Sequence, residues 1–245
     1  MQPDFARSQL ASPEKPSYSR DICAPEVSAR SAREPSKTSV EGGFYGAAGK
    51  RLFDISLALI MLPILAPTIL ILLILASMDG GWPMFRHRRI GRNGETFGCL
   101  KIRSMVVDAD VRLARLLESD PAAAAEWALS QKLTDDPRIT AFGQFIRKTS
   151  LDELPQVWNV LMGEMSFVGP RPIVRDEMIR YGMSIGAYLQ MRPGLTGPWQ
   201  ASGRNDMSYD ERVTLDVEYS RSFGFAKDVK IILATGMAVL KRTGK

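Results

Sequence analysis

Two adjacent carboxylates, Asp152 and Glu153, stand in Ser150-Leu-Asp-Glu-Leu-Pro155, just after Arg147 and Lys148 and shortly before Gly169-Pro-Arg-Pro172. Ionised carboxylates between cations suit phosphoryl transfer, with one as nucleophile, its neighbour as a magnesium ligand, and Arg or Lys neutralising the phosphates. Arg89, Lys101, Arg103, Arg147, Arg171 and Arg204 fall at hairpin or loop positions, whereas a solvated helical face would space cations every three to four residues. Each taken singly reads as a surface charge. The hexapeptide itself has a second interpretation, a capping box of Ser150 and Glu153 that only starts a helix. Pro155 would then lose an amide donor inside that helix and clash with the Leu151 carbonyl. A helix starting at Pro155 is the easier fit, with both carboxylates just ahead of its N-terminus, where the dipole favours their ionised forms.

Other chemistries are excluded by what the chain lacks. His87 is the only histidine, which removes Ser-His-Asp, Cys-His and multi-histidine metal sites. Cys23 and Cys99 form no Cys-x-x-Cys, so neither a disulfide nor a zinc site is expected and the compartment reads as reducing. No P-loop or kinase His-Arg-Asp is present. At 245 residues there is room for one ordinary domain plus extras, and a net charge of +5 with pI near 9.3 fits nucleic acid or an anionic membrane.

The elements that must position these residues follow from the pattern along the chain. Residues 1–48, rich in Ser, Pro, Ala and Arg, have no hydrophobic periodicity and no signal-peptide core, and are expected to be a disordered tail. Residues 49–79 are a membrane segment. From Ile55 to Met78 there is no charge, enough to cross a bilayer core of about 30 Å as one helix. Pro63 and Pro67 should bend it in mid-run. Lys50 and Arg51 on one flank and Arg86, Arg88, Arg89 and Arg92 on the other would both prefer the cytoplasm. A crossing helix and a re-entrant hairpin stand about even on these grounds.

Residues 80–245 are expected to form the folded domain that follows. Asn93-Gly94 marks a two-residue hairpin turn between strands Met84–Ile90 and Glu95–Ile102. A surface helix over Val107–Gln131 is interrupted near Asp120-Pro121, and shorter helices follow over Ile139–Lys148 and Pro155–Met162. The stretch Arg192–Asn205, dense in Gly and Pro, reads as a functional loop. Helices over Tyr209–Ser222 and Lys227–Arg242 close the chain, the last packing on the core. The fold class is α+β, mainly helical, with a membrane segment followed by a small domain holding a β-hairpin and surface helices.

The chain from about Gly49 to Arg242 resembles the bacterial sugar transferases, monotopic polyprenyl-phosphate phosphoglycosyl transferases that start exopolysaccharide assembly. The resemblance is carried by Lys50-Arg51-Leu-Phe-Asp54, Arg89-Ile-Gly-Arg-Asn-Gly94, Lys101-Ile-Arg-Ser-Met105, Asp136-Pro-Arg138, Ser150-Leu-Asp-Glu-Leu-Pro-Gln156, Ser166-Phe-Val-Gly-Pro-Arg-Pro172, Arg192-Pro-Gly-Leu-Thr-Gly197 and Gly203-Arg-Asn205. It implies that Asp152 attacks the β-phosphorus of a UDP-sugar, that Glu153 holds Mg2+, and that undecaprenyl phosphate then takes the phosphosugar, galactose or glucose being favoured. By the same carry-over Arg147, Arg171 and Lys101 are phosphate or nucleotide contacts, and Arg89, Arg103 and Arg204 join the binding set. Asp216 matches an acidic position of the family. The resemblance further implies a broken helix entering and leaving by the cytoplasmic face of the bacterial inner membrane. Ala66-Pro67 departs from the usual Ser-Pro, His87 from glutamine and Ile102 from phenylalanine.

Two other readings compete with the enzyme. One is a non-catalytic membrane-anchored scaffold, which has no need for the carboxylate pair and its cations. The other, a membrane-anchored nucleic-acid binder, finds no aromatic-basic interleaving and no reading helix, so no nucleic-acid partner is expected. Homo-oligomerisation is left open.

Overall fold

A computed structural model describes residues 45–130, 132–202 and 207–240. Residues 1–44 of the expected disordered tail, Cys23, Arg204 and Arg242 lie outside the described residues, while residues 45–48 are not a tail but part of an ordered turn in which Tyr45 bonds Asp228. The described part begins with a wide turn, Tyr45–Gly49, that leads into α1, Lys50–Ser77. The hairpin follows, β1 Met84–Ile90 and β2 Thr96–Ile102, and then α2 Ala109–Ser119, α3 Pro121–Ser130, α4 Ala141–Lys148 and α5 Gln156–Met162. Strand β3, Ser166–Val168, is joined through α6, Met178–Tyr181, and α7, Ile185–Leu189, to β4, Gly194–Thr196. Helices α8, Pro198–Ala201, α9, Tyr209–Ser222, and α10, Phe225–Leu240, complete a mainly helical α+β fold with two small two-stranded sheets.

The hairpin pairs Met84 with Ile102 through to Ile90 with Thr96, so its connection is five residues, Gly91–Glu95, where two were expected. Asn93 and Gly94 do supply the left-handed backbone, at φ 59° and 80°, but within a 3₁₀ turn closed by Gly91 N–H to the Glu95 carbonyl at 2.7 Å. The interruption at Asp120-Pro121 is confirmed, the Asp120 carboxylate accepting from the Ala122 and Ala123 amides at the start of α3. Strands β3 and β4 are parallel and three residues each, and β4 and α8 replace part of the expected loop Arg192–Asn205.

Where a break was expected, α1 runs unbroken through Pro63 and Pro67. Thr68 Oγ1 folds back onto the Ile64 carbonyl at 2.8 Å just past the second proline. Of its 28 residues only Asp54, Ala58, Leu72 and Ala76 are buried, whereas Leu59, Ile60, Ile64, Leu70, Ile71 and Ile74 are each more than half exposed. Helix α1 is thus long and apolar enough to cross a membrane, with a broad apolar face that the described residues leave uncovered.

Both ends of α1 are fastened to the same body. At the N-terminal end Lys50 pairs with Asp228 of α10 at 2.6 Å, and Arg51 donates to the Val160 and Leu161 carbonyls at the end of α5. Asp54, buried, accepts from Ser166 Oγ and the Phe167 amide at 3.0 Å. At the C-terminal end Leu72 and Ala76 pack on Ile102 and Ile146, and Arg103 donates to the Ala76 carbonyl at 2.7 Å while pairing with Asp79. The main core lies between, with Ala58, Val157, Val160, Met165, Val168 and Tyr219. Helix α10 joins it through Ile231, as expected of a core-packed helix.

Candidate active site

Asp152 and Glu153 sit on a 3₁₀ turn, Leu151–Glu153, that precedes α5. The capping box does not form: Ser150 is left-handed at φ 56° with no side-chain bond to the turn, and α5 begins at Gln156 with Pro155 as its N-cap. The proline therefore sets the start of the helix, within a residue of the expected one.

Two neighbouring elements aim cations at this turn. Strand β2 brings Lys101, whose Nζ lies 2.6 Å from Glu153 Oε1 and 3.8 Å from Asp152 Oδ2. Helix α4 brings Arg147, whose Nε donates to Ser104 Oγ at 2.7 Å. Helix α4 can approach so closely because residue 143 is glycine: a Cβ there would stand 1.9 Å from the Ser104 carbonyl oxygen. Thr140 caps α4, its hydroxyl accepting from the Gly143 amide at 2.8 Å, and its own amide bonds the Ser104 carbonyl at 3.2 Å.

A cleft of about 890 Å³ opens here, lined by Asp152, Glu153, Lys101, Arg147 and Arg171, with an apolar wall of Trp82, Phe85 and Val107. Asp152 is only 7% exposed. Burial raises its pKa above the ordinary value, Lys101 and Arg147 pull it down, and Glu153 pushes it up. The arrangement offers a desolvated carboxylate beside Lys101 and Arg147, with Arg171 on the same cleft, which suits a nucleophile for a polyanionic substrate.

The sequence-expected residues are not all brought together. Asp152, Glu153, Arg147, Lys101 and Arg171 share the cleft, and Arg171 also lies 5.6 Å from the Trp199 ring. Arg103 lines it too, but its guanidinium is bound to Asp79 and to the Trp82 and Ala76 carbonyls, so it ties the hairpin to the end of α1. Arg89 points away, donating to the Pro172 carbonyl at 3.2 Å and pairing with Glu177 at 3.6 Å, which holds the Gly169-Pro-Arg-Pro172 turn on the hairpin. Asp136 and Arg138 form a bidentate pair with each other at 2.8 and 2.7 Å. Asp216 is buried against the Tyr181 hydroxyl at 2.8 Å. Residues missed by sequence reasoning are Ser104, which orients Arg147, and Asn159, which joins α5 to β2. Ser104 lay in the Lys101–Met105 stretch, but nothing local marked its partner 43 positions away.

Among the described residues no three His, Cys, Asp or Glu side chains gather as a metal site. Magnesium is commonly held by one or two carboxylates together with substrate phosphates. The adjacent Asp152 and Glu153, with the Glu153 side chain 42% exposed at the cleft, fit that kind of site.

The bacterial sugar transferase family model matches residues 45–242. The chain is 50% identical over 195 residues to the undecaprenyl-phosphate galactose phosphotransferase of Salmonella typhimurium, covering 80% of this chain and 41% of that protein. It is 47% identical to the exopolysaccharide production protein ExoY of Sinorhizobium fredii, over 81% of this chain and 88% of ExoY. It is 36% identical to the UDP-glucose:undecaprenyl-phosphate glucose-1-phosphate transferase of Xanthomonas campestris, over 80% of this chain and 40% of that protein. The chain thus spans about two fifths of the two transferases and most of ExoY. With the family match running from the turn before α1 to the end of α10, this chain belongs to the bacterial sugar transferase family.

Proposed function

We propose that this protein transfers a hexose-1-phosphate, galactose or glucose, from a UDP-sugar to undecaprenyl phosphate, releasing UMP and initiating exopolysaccharide synthesis at the cytoplasmic face of the inner membrane. The observation that carries this reading is the buried Asp152 carboxylate facing Lys101, Arg147 and Arg171 in one cleft.

In the first step an Asp152 carboxylate oxygen attacks the β-phosphorus. A phosphorus–oxygen bond forms to the carboxylate, the bond to the bridging oxygen breaks, and UMP leaves with that electron pair. In the second step a phosphate oxygen of undecaprenyl phosphate attacks the same phosphorus, and the Asp152 carboxylate leaves unchanged. Dividing the exchange lets one buried carboxylate serve two bulky phosphate substrates in turn. Lys101, fixed between the two carboxylates, favours the ionised form of Asp152 against its burial and meets the incoming diphosphate. Arg147, oriented by Ser104, and Arg171 neutralise charge on the transferring phosphoryl group. Glu153, with diphosphate oxygens, would hold Mg2+, which when bound offsets negative charge on the diphosphate.

The membrane placement is supported by the fastening of α1 at both ends. A straight α1 is about 42 Å long, enough to cross, yet residues 51–54 and 76–79 contact one and the same body. Fastening of both ends to one body favours a segment that returns to the face it entered over one that crosses. The two prolines weaken its ladder at the middle, where a dip into a single leaflet needs a bend.

The test is UMP release by the purified full chain with magnesium, undecaprenyl phosphate and a panel of UDP-sugars, beside mass spectrometry of protein incubated without the lipid acceptor. Wild type is expected to carry a phosphohexose on the peptide containing Asp152, and Asp152→Asn to lose both the adduct and turnover. Wild-type turnover by Asp152→Asn would sink the nucleophile. Folded protein silent with every donor would move the reading to a scaffold.

A further inference from the structure

The chain's only histidine lies in this cleft, and its surroundings fix what it offers a ligand. His87 sits in the middle of β1, paired in register with Cys99, one step along the same hairpin face from the Phe85 and Lys101 pair. Arg89 Nη2 stands 3.3 Å from His87 Nδ1. A guanidinium has only donors, so Nδ1 accepts, and the neutral ring carries its proton on Nε2. The ring is kept neutral because burial, Arg89 and Lys101 lower its pKa, with Glu177 opposing. Arg89 is itself fixed from behind by the Pro172 carbonyl and Glu177, and the edge of the imidazole is set by Phe85 at a centroid distance of 6.0 Å. The ring is thus oriented by one nitrogen, while the other has no protein partner among the described residues. His87 is only partly buried and lines the cleft, so this nitrogen is open to water or to a ligand there.

We infer that His87 is a substrate-binding residue whose Nε2–H donates to an acceptor oxygen of the nucleotide-sugar in the Asp152 cleft, and so helps decide which donor is accepted. The inference rests on the reading that this cleft takes a UDP-sugar. The ring acts as a fixed neutral donor and transfers no proton. Glutamine, whose amide also donates, should replace it; alanine should not.

The test uses the untagged full chain in lipid nanodiscs, where selective nitrogen-15 histidine labelling reports a single imidazole. At neutral pH the long-range proton–nitrogen correlations are expected to show the Nε2–H tautomer, and the Nε2 resonance to shift on adding UMP, UDP-galactose or UDP-glucose. A shift with UMP places the acceptor on the nucleotide; a shift with UDP-sugars alone places it on the sugar or the β-phosphate. In UMP-release assays His87→Ala should raise KM for the donor about tenfold with kcat changed less than about threefold, the loss of one neutral donor, while His87→Gln stays within about threefold of wild type. An Nδ1–H tautomer, a ring unmoved by every probe, or an unchanged KM in His87→Ala would overturn the assignment. Equal impairment of His87→Gln and His87→Ala would also overturn it, pointing to support of Arg89 alone. Protein that releases no UMP yet shows the ring shift would sink the transfer reaction and leave the binding role standing.

Discussion

Two buried carboxylates, Asp152 and Asp216, differ in what faces them, and the difference separates an acid set among cations from one that is not. Asp152 has Lys101 and Arg147. Asp216 has only the Tyr181 hydroxyl, its Oδ1 has no partner among the described residues, and burial pushes its pKa up to about 7. Its folded pKa exceeds the unfolded one, so the native state holds the proton more tightly and the carboxyl costs nothing below about pH 4, where both states are protonated. The cost grows as pH rises from there to about 7 and is constant above. Asp216→Asn should therefore melt higher than wild type by a few degrees at about pH 8, with the gap closing toward pH 4. A gap in Tm that does not change with pH would rule this out. At this scale the sequence displayed the carboxylate pair and its nearby arginines, because they are close in the chain. It could not separate Arg147 and Arg171, which face the cleft, from Arg89 and Arg103, which bind carbonyls and carboxylates, since that depends on partners tens of residues away.

Between elements, the contact that registers Asp152 against Lys101 is made by Asn159 on α5. Its Oδ1 accepts from the Leu100 amide at 3.0 Å and its Nδ2 donates to the Gly98 carbonyl at 2.9 Å, so one side chain serves β2 as a neighbouring strand would. The 3₁₀ turn bearing Asp152 lies directly ahead of α5, and Lys101 lies one residue beyond Leu100. Asn159→Ala would leave two backbone groups of β2 without these partners, at about 1–3 kcal/mol each. A drop in Tm of several degrees is expected in a thermal melt, with UMP release falling further than the unfolded fraction explains; an unchanged Tm would refute the role. Helices α2 to α5 and α9 were legible because their apolar spacing and stop signals are local. Strands β3 and β4 were not, being three residues each and too short for alternation to show. The Asn-Gly signal gave the backbone conformation of the turn but not its length, because Gly91 and Glu95 close a larger loop around it.

For the whole molecule, charge flanks alone left α1 undecided between crossing and returning, since positive residues on both sides carry no information about the path between them. Cysteines at Ala48 and Glu95, read with a membrane-impermeant maleimide in sealed vesicles, should react from the same side. Reaction from opposite sides would show a crossing helix. The fastening of α1 also bears on biogenesis. Arg51 and Asp54 occupy carbonyls of α5 and donors of β3, and Arg103 closes over the last turn of the helix. On the proposed membrane placement, the segment that would meet lipid is therefore also a strut of the folded domain. A chain cut back to begin at Trp82 would leave the Val160 and Leu161 carbonyls and the Phe167 amide without these partners, and would strip Ala58, Leu72 and Ala76 from two cores. Removing the greasy part to gain solubility would remove the scaffold behind the Asp152 cleft.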